Sequence, residues 1–214
     1  MLTRYTPPVI ALAAAFSAVA GFVDAIGFLL TGGFFASFMS GNTTRLAIGL
    51  AAGTSAAVTA GVLIILFVGG VVLGTLTGRR YPVQRRPAVL LLVTLLLAVA
   101  AVLHAAGCDR AVVLPMVLAM GAENTVFAED GEVRIGLTYM TGTLVKLGKR
   151  ITAAMLGGDP LGWLPYLGLW LGLLAGAVAG ATVFARVGAD ALWVAVGTMT
   201  ILTGLAAQMD LTAR

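Results

Sequence analysis

The sequence is poor in the residues from which most active sites are built. Its 214 residues include one cysteine and one histidine, and only 10% of them are charged. A single Cys108 rules out an internal disulfide and any multi-cysteine metal centre. The lone His104 lies in an apolar stretch and reads as a packed or interfacial residue rather than a ligand. There is no HExxH pair, no nucleophile elbow and no cysteine cluster, and the few carboxylates are widely separated. The chain is therefore expected not to be an enzyme and to hold neither cofactor nor metal.

What it has instead is apolar length. Hydrophobic residues make up 60% of the chain and the mean hydropathy is +1.04, values of a membrane protein rather than a soluble one. The runs Leu46 to Gly78, Pro87 to Cys108, Pro160 to Ala185 and Ala191 to Met209 carry no charge and reach the ~18 residues of a spanning helix. Val9 to Leu30 and Ala111 to Ala128 are also long enough but contain Asp24 and Glu123. These are six expected spans. The stretch ending in "AVA" at 18–20 resembles a signal peptide. It is expected to stay on the chain, because it is one partner in an internal repeat.

That repeat appears when the chain is shifted by about a hundred positions. "SFMSGNTTRL" at 37–46 lies over "TYMTGTLVKL" at 138–147, and "GFVDA" at 21–25 over "GAENT" at 121–125. Each half, 1–108 and 109–214, reads as a helix, a polar motif segment and two more helices. Duplication of this kind marks many membrane transporters. If the motif segments cross the bilayer the halves are parallel; if they dip in and return, the halves are inverted.

Loop charge favours the second case. With six spans and both termini inside, Arg4, Arg79, Arg80, Arg85, Arg86, Arg134, Lys146, Lys149, Arg150 and Arg214 collect inside, against Arg45, Arg110 and Arg186 outside. Eight spans remove most of that bias. The basic balance, net +4, is thus read as topology-setting charge, and no nucleic-acid partner is expected. The expected fold is an all-α polytopic membrane protein of six spanning helices plus two broken, re-entrant motif segments, built as two inverted repeats.

The motif segments carry the chemistry. Backbone at membrane depth must find its own hydrogen bonds, so a break survives only where protein or a water-filled cavity surrounds it. Ser40, Asn42, Thr43 and Thr44 are helix-capping types, and Gly41 tolerates unusual dihedrals. A helix starting there would aim a partly positive N-terminus at an anion or a polar solute, with Arg45 adding a full charge. Thr141, Gly142, Thr143 and Lys146 repeat the arrangement. Read without function, the same residues make tight turns and close helix contacts.

Asp24 lies about sixteen residues into its helix, ~24 Å from its start, and must be paired, protonated or hydrated. Two solutions stand: a salt bridge to Arg45, or a carboxyl that takes up and releases a proton during transport. Glu123, beside Asn124, could serve likewise with Lys146 as counter-charge. Lys146, Lys149 and Arg150 line one helical face and snorkel to the inner interface. "RRYPVQRR" at 79–86 reads as a cytoplasmic loop, "EDGEVR" at 129–134 as a solvated turn, and Trp163, Trp170 and Trp193 as anchors or packing residues.

Taken together, "GFVDAIGFLLTGGFFASFMSGNTTRLAIGLA" at 21–51 and "TYMTGTLVKLGKRI" at 138–151 resemble the YoaK-like family of bacterial integral membrane proteins. The resemblance implies a small inner-membrane protein with six helices and a function not established. Its motif positions are Gly21, Asp24, Ala25, Met39, Ser40, Gly41, Asn42 and Arg45, then Gly121, Asn124, Met140, Thr141, Gly142 and Thr143. Glu123 departs from it, since a glutamine is expected there.

The first functional expectation is a bacterial inner-membrane permease for a small polar or anionic solute, proton-coupled in one form, with its site between the motif segments. A channel is the nearby alternative. A membrane accessory or structural subunit is the other, with the glycine stripes Gly70/Gly74 and Gly172/Gly176/Gly180 packing against partner helices. The expected partners are the lipid bilayer and the solute, with a homo-oligomer left open.

Overall fold

The computed structural model describes residues 6–129, 132–133 and 136–209. Arg4, Arg134 and Arg214, half of the "EDGEVR" turn and the two termini fall outside the described residues. The described chain is helical apart from a ladder of two two-residue strands, β1 (Ala128–Glu129) and β2 (Glu132–Val133). The helices are α1 Pro7–Leu30, α2 Met39–Ala52, α3 Ala56–Arg80, α4 Arg85–Ala105, α5 Val113–Glu123, α6 Met140–Met155, α7 Leu164–Val187 and α8 Ala191–Gln208.

Their ends follow local chemistry. α1 opens on Pro7 and Pro8, which fit a first turn that needs no backbone donor. It closes where the Thr31 hydroxyl donates to Gly27 O at 2.7 Å and Gly32 and Gly33 take positive φ. α3 ends on Arg79 and Arg80, cations at the negative end of the helix dipole. α7 passes into α8 through a single 3-10 turn that starts at Gly188, φ +61°.

Four stretches are long and apolar enough to cross a membrane: Pro7–Leu30, Ala56–Arg80, Arg85–Ala105 and the 45-residue Leu164–Gln208, which holds both α7 and α8. The run expected over Ala111 to Ala128 is shorter than the sequence suggests. α5 has 11 residues, ~16 Å of helix, and turns occupy 124–127. The outer surfaces of these stretches are apolar, with Val58, Ile65, Val72, Leu95, Val102, Val178 and Ile201 all exposed. A surface of that kind belongs in lipid.

"RRYPVQRR" is half loop and half helix, its first and last two residues belonging to α3 and α4. Only 81–84 connect α3 to α4, and the arginines hold the end of α5: Arg85 donates to Thr125 O at 3.3 Å and Arg86 lies 6.0 Å over the Phe127 ring. His104 sits at the end of α4, paired with Asp109 at 2.6 Å and 3.9 Å from Asp190.

The core is closed by glycines. Along α7, Gly172, Gly176 and Gly180 lie against the backbone of Ala14, Ala18 and Phe22 on α1; along α3, Gly70 and Gly74 lie against Leu118 and Ala122 on α5. In return Gly21 packs on Leu173 and Ala177, and Gly121 on Phe67 and Val71. The two sets are copies. A shift that takes Gly21 to Gly121 and Phe67 to Leu173 converts each α5–α3 contact into an α1–α7 contact. The stripes are therefore filled by helices of this chain, and each half is packed chiefly against the other.

Residue order in these contacts fixes the directions of the helices. α1 runs parallel to α7, and α3 parallel to α5. α8 runs opposite to α4, since Thr94 meets Thr203 at 3.3 Å while His104 lies near Asp190. Short turns oppose α3 to α4 and α7 to α8. Hence α1, α4 and α7 point one way, and α3, α5 and α8 the other.

A methyl group on Gly176 would overlap Ala18 O, and one on Gly70 would overlap Leu118 O. Gly176→Val and Gly70→Val should each lower the melting temperature of the purified protein sharply, as overpacking against backbone costs about 3 kcal/mol or more. Gly197→Ala, with open space around it, should leave it unchanged or slightly raised.

Candidate functional site

The site is built from two returns of the chain. After α1 ends at Leu30, the segment 31–38 folds back, and Ser37 N donates to Asp24 Oδ1 at 2.6 Å. The N–H groups of Ala36 and Phe38 also face that carboxylate, which is 6% exposed. Asp24 lies six residues before the end of α1, so the chain has come back ~9 Å along the helix before α2 begins. Asn42 clasps the same segment: its Oδ1 accepts from Phe35 N at 3.0 Å and its Nδ2 donates to Phe35 O at 2.8 Å. Thr31 Oγ1 also accepts from Phe34 N at 2.9 Å.

From there α2 runs alongside α3 and opposite to it, with Leu46 near Gly61 and Gly49 seated on Ala57. α2 thus points the same way as α1. The ion pair expected between Asp24 and Arg45 is not formed among the described residues. The carboxylate is already taken by backbone donors, and the Arg45 guanidinium lies 5.1 Å over the Phe34 ring on the outer side of the return.

The second return repeats the first with different atoms. Asn124 Oδ1 accepts from Thr138 Oγ1 at 3.0 Å, the counterpart of Asp24 and Ser37, and its Nδ2 donates to Met120 O. Ser17 Oγ lies 2.9 Å from Leu137 O and steadies the segment against α1. Glu123 is fully buried, and neither carboxyl oxygen has a partner among the described residues. Lys146 is on the exposed flank of α6, and no ion pair joins it to Glu123 among the described residues.

The two returns meet. A cavity of about 300 Å³ is lined by Ser37, Phe38, Met39 and Ser40 from one, by Thr138, Tyr139, Met140, Thr141 and Gly142 from the other, and by Phe67 of α3. The first turns of α2 and α6 open on it. First-turn N–H groups have no acceptor within their own helix. Met39 N finds Ser37 O, and Gly41 N and Asn42 N find Phe38 O; Met140 N finds Thr138 O, and Thr143 N finds Tyr139 O. Ser40 N, Thr141 N and Gly142 N have no acceptor among the described residues. The cavity is thus a place with free donors, the positive ends of two helices and no charged side chain in its lining.

Of the residues singled out in the sequence, Ser40, Thr141 and Gly142 line the cavity. Asp24, Asn42, Asn124 and Thr143 stand behind it and hold its walls; Thr143 Oγ1 returns to Tyr139 O at 3.1 Å. Gly41 gives room to the Phe35 ring, and Thr43 Oγ1 donates to Met39 O. Arg45, Glu123 and Lys146 are not in the lining. Ser37, Phe38, Thr138 and Tyr139 were missed, although their pairing in the aligned motifs could have pointed to them. Phe67, inside a uniformly apolar run, carried no signal.

Residues 12–205 match the family described as "Protein of unknown function (DUF1275)". The chain is 38% identical over 201 residues to the "UPF0700 transmembrane protein RA0705" of Rhizobium meliloti (strain 1021), an alignment covering 94% of this chain and 87% of that one. No solved structure matches.

Asp24→Ala should cost about 2 kcal/mol, the loss of hydrogen bonds to a charged acceptor, and lower the melting temperature in detergent. Asp24→Asn, which keeps the Oδ1 acceptor as Asn124 does in the second return, should stay close to the parent. Glu123→Gln should raise the melting temperature, because a buried carboxyl with no hydrogen-bond partner among the described residues is costly to ionise and a neutral amide avoids that cost.

Proposed function

The chain belongs to the DUF1275 family, a bacterial membrane-protein family of unknown function, and from that premise we propose that it is a small-solute permease of the bacterial inner membrane. The solute sits between the starts of α2 and α6. The observation that carries this reading is the shared cavity, with Ser40 N, Thr141 N and Gly142 N free on its wall. Paired helix starts of this kind suit a solute with hydrogen-bond acceptors, an anion or a small neutral polar molecule. A volume of about 300 Å³ is at the low end for small-molecule sites and favours a solute of few atoms.

The running directions fit six crossings, of which α5, ~16 Å of helix, covers only about half of a ~30 Å core and ends on the second return. α1 and α3 are opposed although α2 lies between them, so α2 adds no crossing and returns to the side it came from; α6 does the same between α5 and α7. The two halves are then inverted copies with the cavity at mid-depth between them. Irregular backbone at that depth is tolerable because it lines a cavity and is bonded to Asp24, Asn42 and Asn124. Proton coupling through Asp24 is the active form of this reading, and no chemical reaction is assigned to the protein.

The test is flux into proteoliposomes for a panel of small monocarboxylates, halides and polyols. At least one should enter faster than into protein-free vesicles. Ser40→Trp and Thr141→Trp, which fill the cavity, should cut that flux more than tenfold at unchanged protein recovery. Ser40→Ala should stay within about threefold, because the donor is the backbone N–H. Equal flux in parent and tryptophan variants would contradict the proposal.

A further inference from the structure

No cationic side chain balances the Asp24 carboxylate among the described residues. The backbone N–H groups of 36–38 face it and hold it in place, yet they are dipoles and bring no net charge. Arg45 is engaged on the Phe34 ring instead. A carboxylate within a membrane helix faces a partner or a cavity, and Asp24 faces a cavity.

That cavity is distinct from the one between the helix starts, although Phe38 lines both. It is a groove of about 390 Å³ between α1, α7 and the first return. From α1 it receives Asp24 and Phe28, with the small Gly21 and Ala25 on the same helical face. Leu173, Ala177 and Ala181, four residues apart on α7, form the facing wall, and Phe35 and Phe38 close it from the return. Leu29 at its edge is 45% exposed, so the groove opens on the outer, apolar surface. Asp24 alone among these lining residues is ionisable.

The three phenyl rings form one patch. Phe28 and Phe35 have centroids 4.9 Å apart, and Phe35 and Phe38 5.8 Å. Asp24 precedes Phe28 by four residues, ~6 Å along the helix axis. A carboxylate beside touching aromatic rings is the chemistry that recognises quaternary and protonated amines: the ring faces attract the cation and the carboxylate balances it. With Gly21 laid over Gly121 and Phe38 over Tyr139, the second return has Asn124, Ala128 and Gly136 at the places of Asp24, Phe28 and Phe35. Charge and rings thus occur together on one return and are missing together from the other.

Other occupants fit less well. A hydrated inorganic ion would give up its water for phenyl and alkyl walls, and an acyl chain would leave the carboxylate against hydrocarbon. We propose that the groove binds a hydrophobic organic monocation, a quaternary or protonated amine with a compact aromatic or branched alkyl body, with its charge against Asp24 and its body on Phe28, Phe35 and Phe38. This inference needs only the groove and its carboxylate, and it stands apart from the permease reading.

In isothermal titration of the purified full-length protein in detergent, benzyltrimethylammonium should bind at a single saturable site, and benzenesulfonate, of similar size and opposite charge, should not. Asp24→Asn should weaken the binding by more than about tenfold, and Phe35→Leu by about fivefold. Ala181→Trp, which fills the groove from α7 and leaves the carboxylate in place, should abolish it, and serves as the test if Asp24→Asn does not fold. Thr141→Trp lies on α6, which does not border the groove, and should leave cation binding within about twofold. The same variant is expected to lose flux, so failure of this site and failure of the permease reading are distinguishable. No saturable binding in the parent, equal affinity in Asp24→Asn and parent, equal binding of benzenesulfonate, or loss of binding in Thr141→Trp would overturn the proposal.

Discussion

The bond from Ser37 N to the Asp24 carboxylate is the contact on which the rest of the arrangement depends. A chain that turns back inside an apolar bundle exposes N–H and C=O groups that no helix supplies with partners, each costing several kcal/mol if left bare in hydrocarbon. Asp24 answers that cost from within α1, facing the N–H groups of three successive residues. Asn42 answers it from within α2 by taking both backbone groups of Phe35. With these in place α2 can begin at the level of Asp24, and its first turn can open on a cavity. In the second return Asn124 instead holds the Thr138 hydroxyl, a bond between neutral side chains, while Ser17 Oγ donates to the backbone carbonyl of Leu137.

The glycine contacts set how far that arrangement can be altered. α1 packs on α7 and α5 on α3, so each half of the chain completes its core with a helix from the other. Backbone against backbone leaves no side chain free to adjust, which makes these pairs rigid supports for the two returns. Movement is easier elsewhere. α2 is seated on α3 through Gly49, whereas α6 carries Arg150 at the aligned place and is loosely covered. Two motifs that look alike therefore form one closely seated wall and one sparsely covered wall of the cavity.

Much of this was legible in the sequence, and what was not has a common cause. The helical class, the apolar stretches, the pairing of "MSGN" with "MTGT" and the start of a helix at each motif are local properties, readable from composition and spacing, but the capping expected of Ser40, Asn42, Thr43 and Thr44 is not formed: α2 starts at Met39 behind Phe38 with no side-chain cap, and Asn42 is spent on Phe35. Asp24 and Asn124 were marked because a polar side chain deep in an apolar run demands a partner. The partners themselves were not readable. Arg45 and Lys146 looked like counter-charges because they are the cations of the two motif segments, yet Asp24 takes backbone donors and Glu123 has no partner among the described residues. Phe67 reaches the cavity's lining only through the packing of α3, which an apolar run does not announce. α5 stops at Glu123 although apolar sequence continues, since Asn124 and Thr125 turn their side chains onto Met120 O and Ala122 O and end the helix. Tertiary pairing decided all of these but the end of α5, which local side-chain bonds to helix carbonyls set.

The claim that α2 and α6 return without crossing is tested most directly by the sidedness of single cysteines on a Cys108→Ser background. Val83 lies in the α3–α4 turn, Gln208 at the end of α8 and Thr54 in the α2–α3 turn, all exposed. A membrane-impermeant thiol reagent, applied to intact and to opened cells, assigns each a side. The account requires Val83 and Gln208 on one side and Thr54 on the other. Val83 and Gln208 on opposite sides would mean that α6 crosses the bilayer, and the cavity between the helix starts would no longer lie at mid-depth between inverted halves.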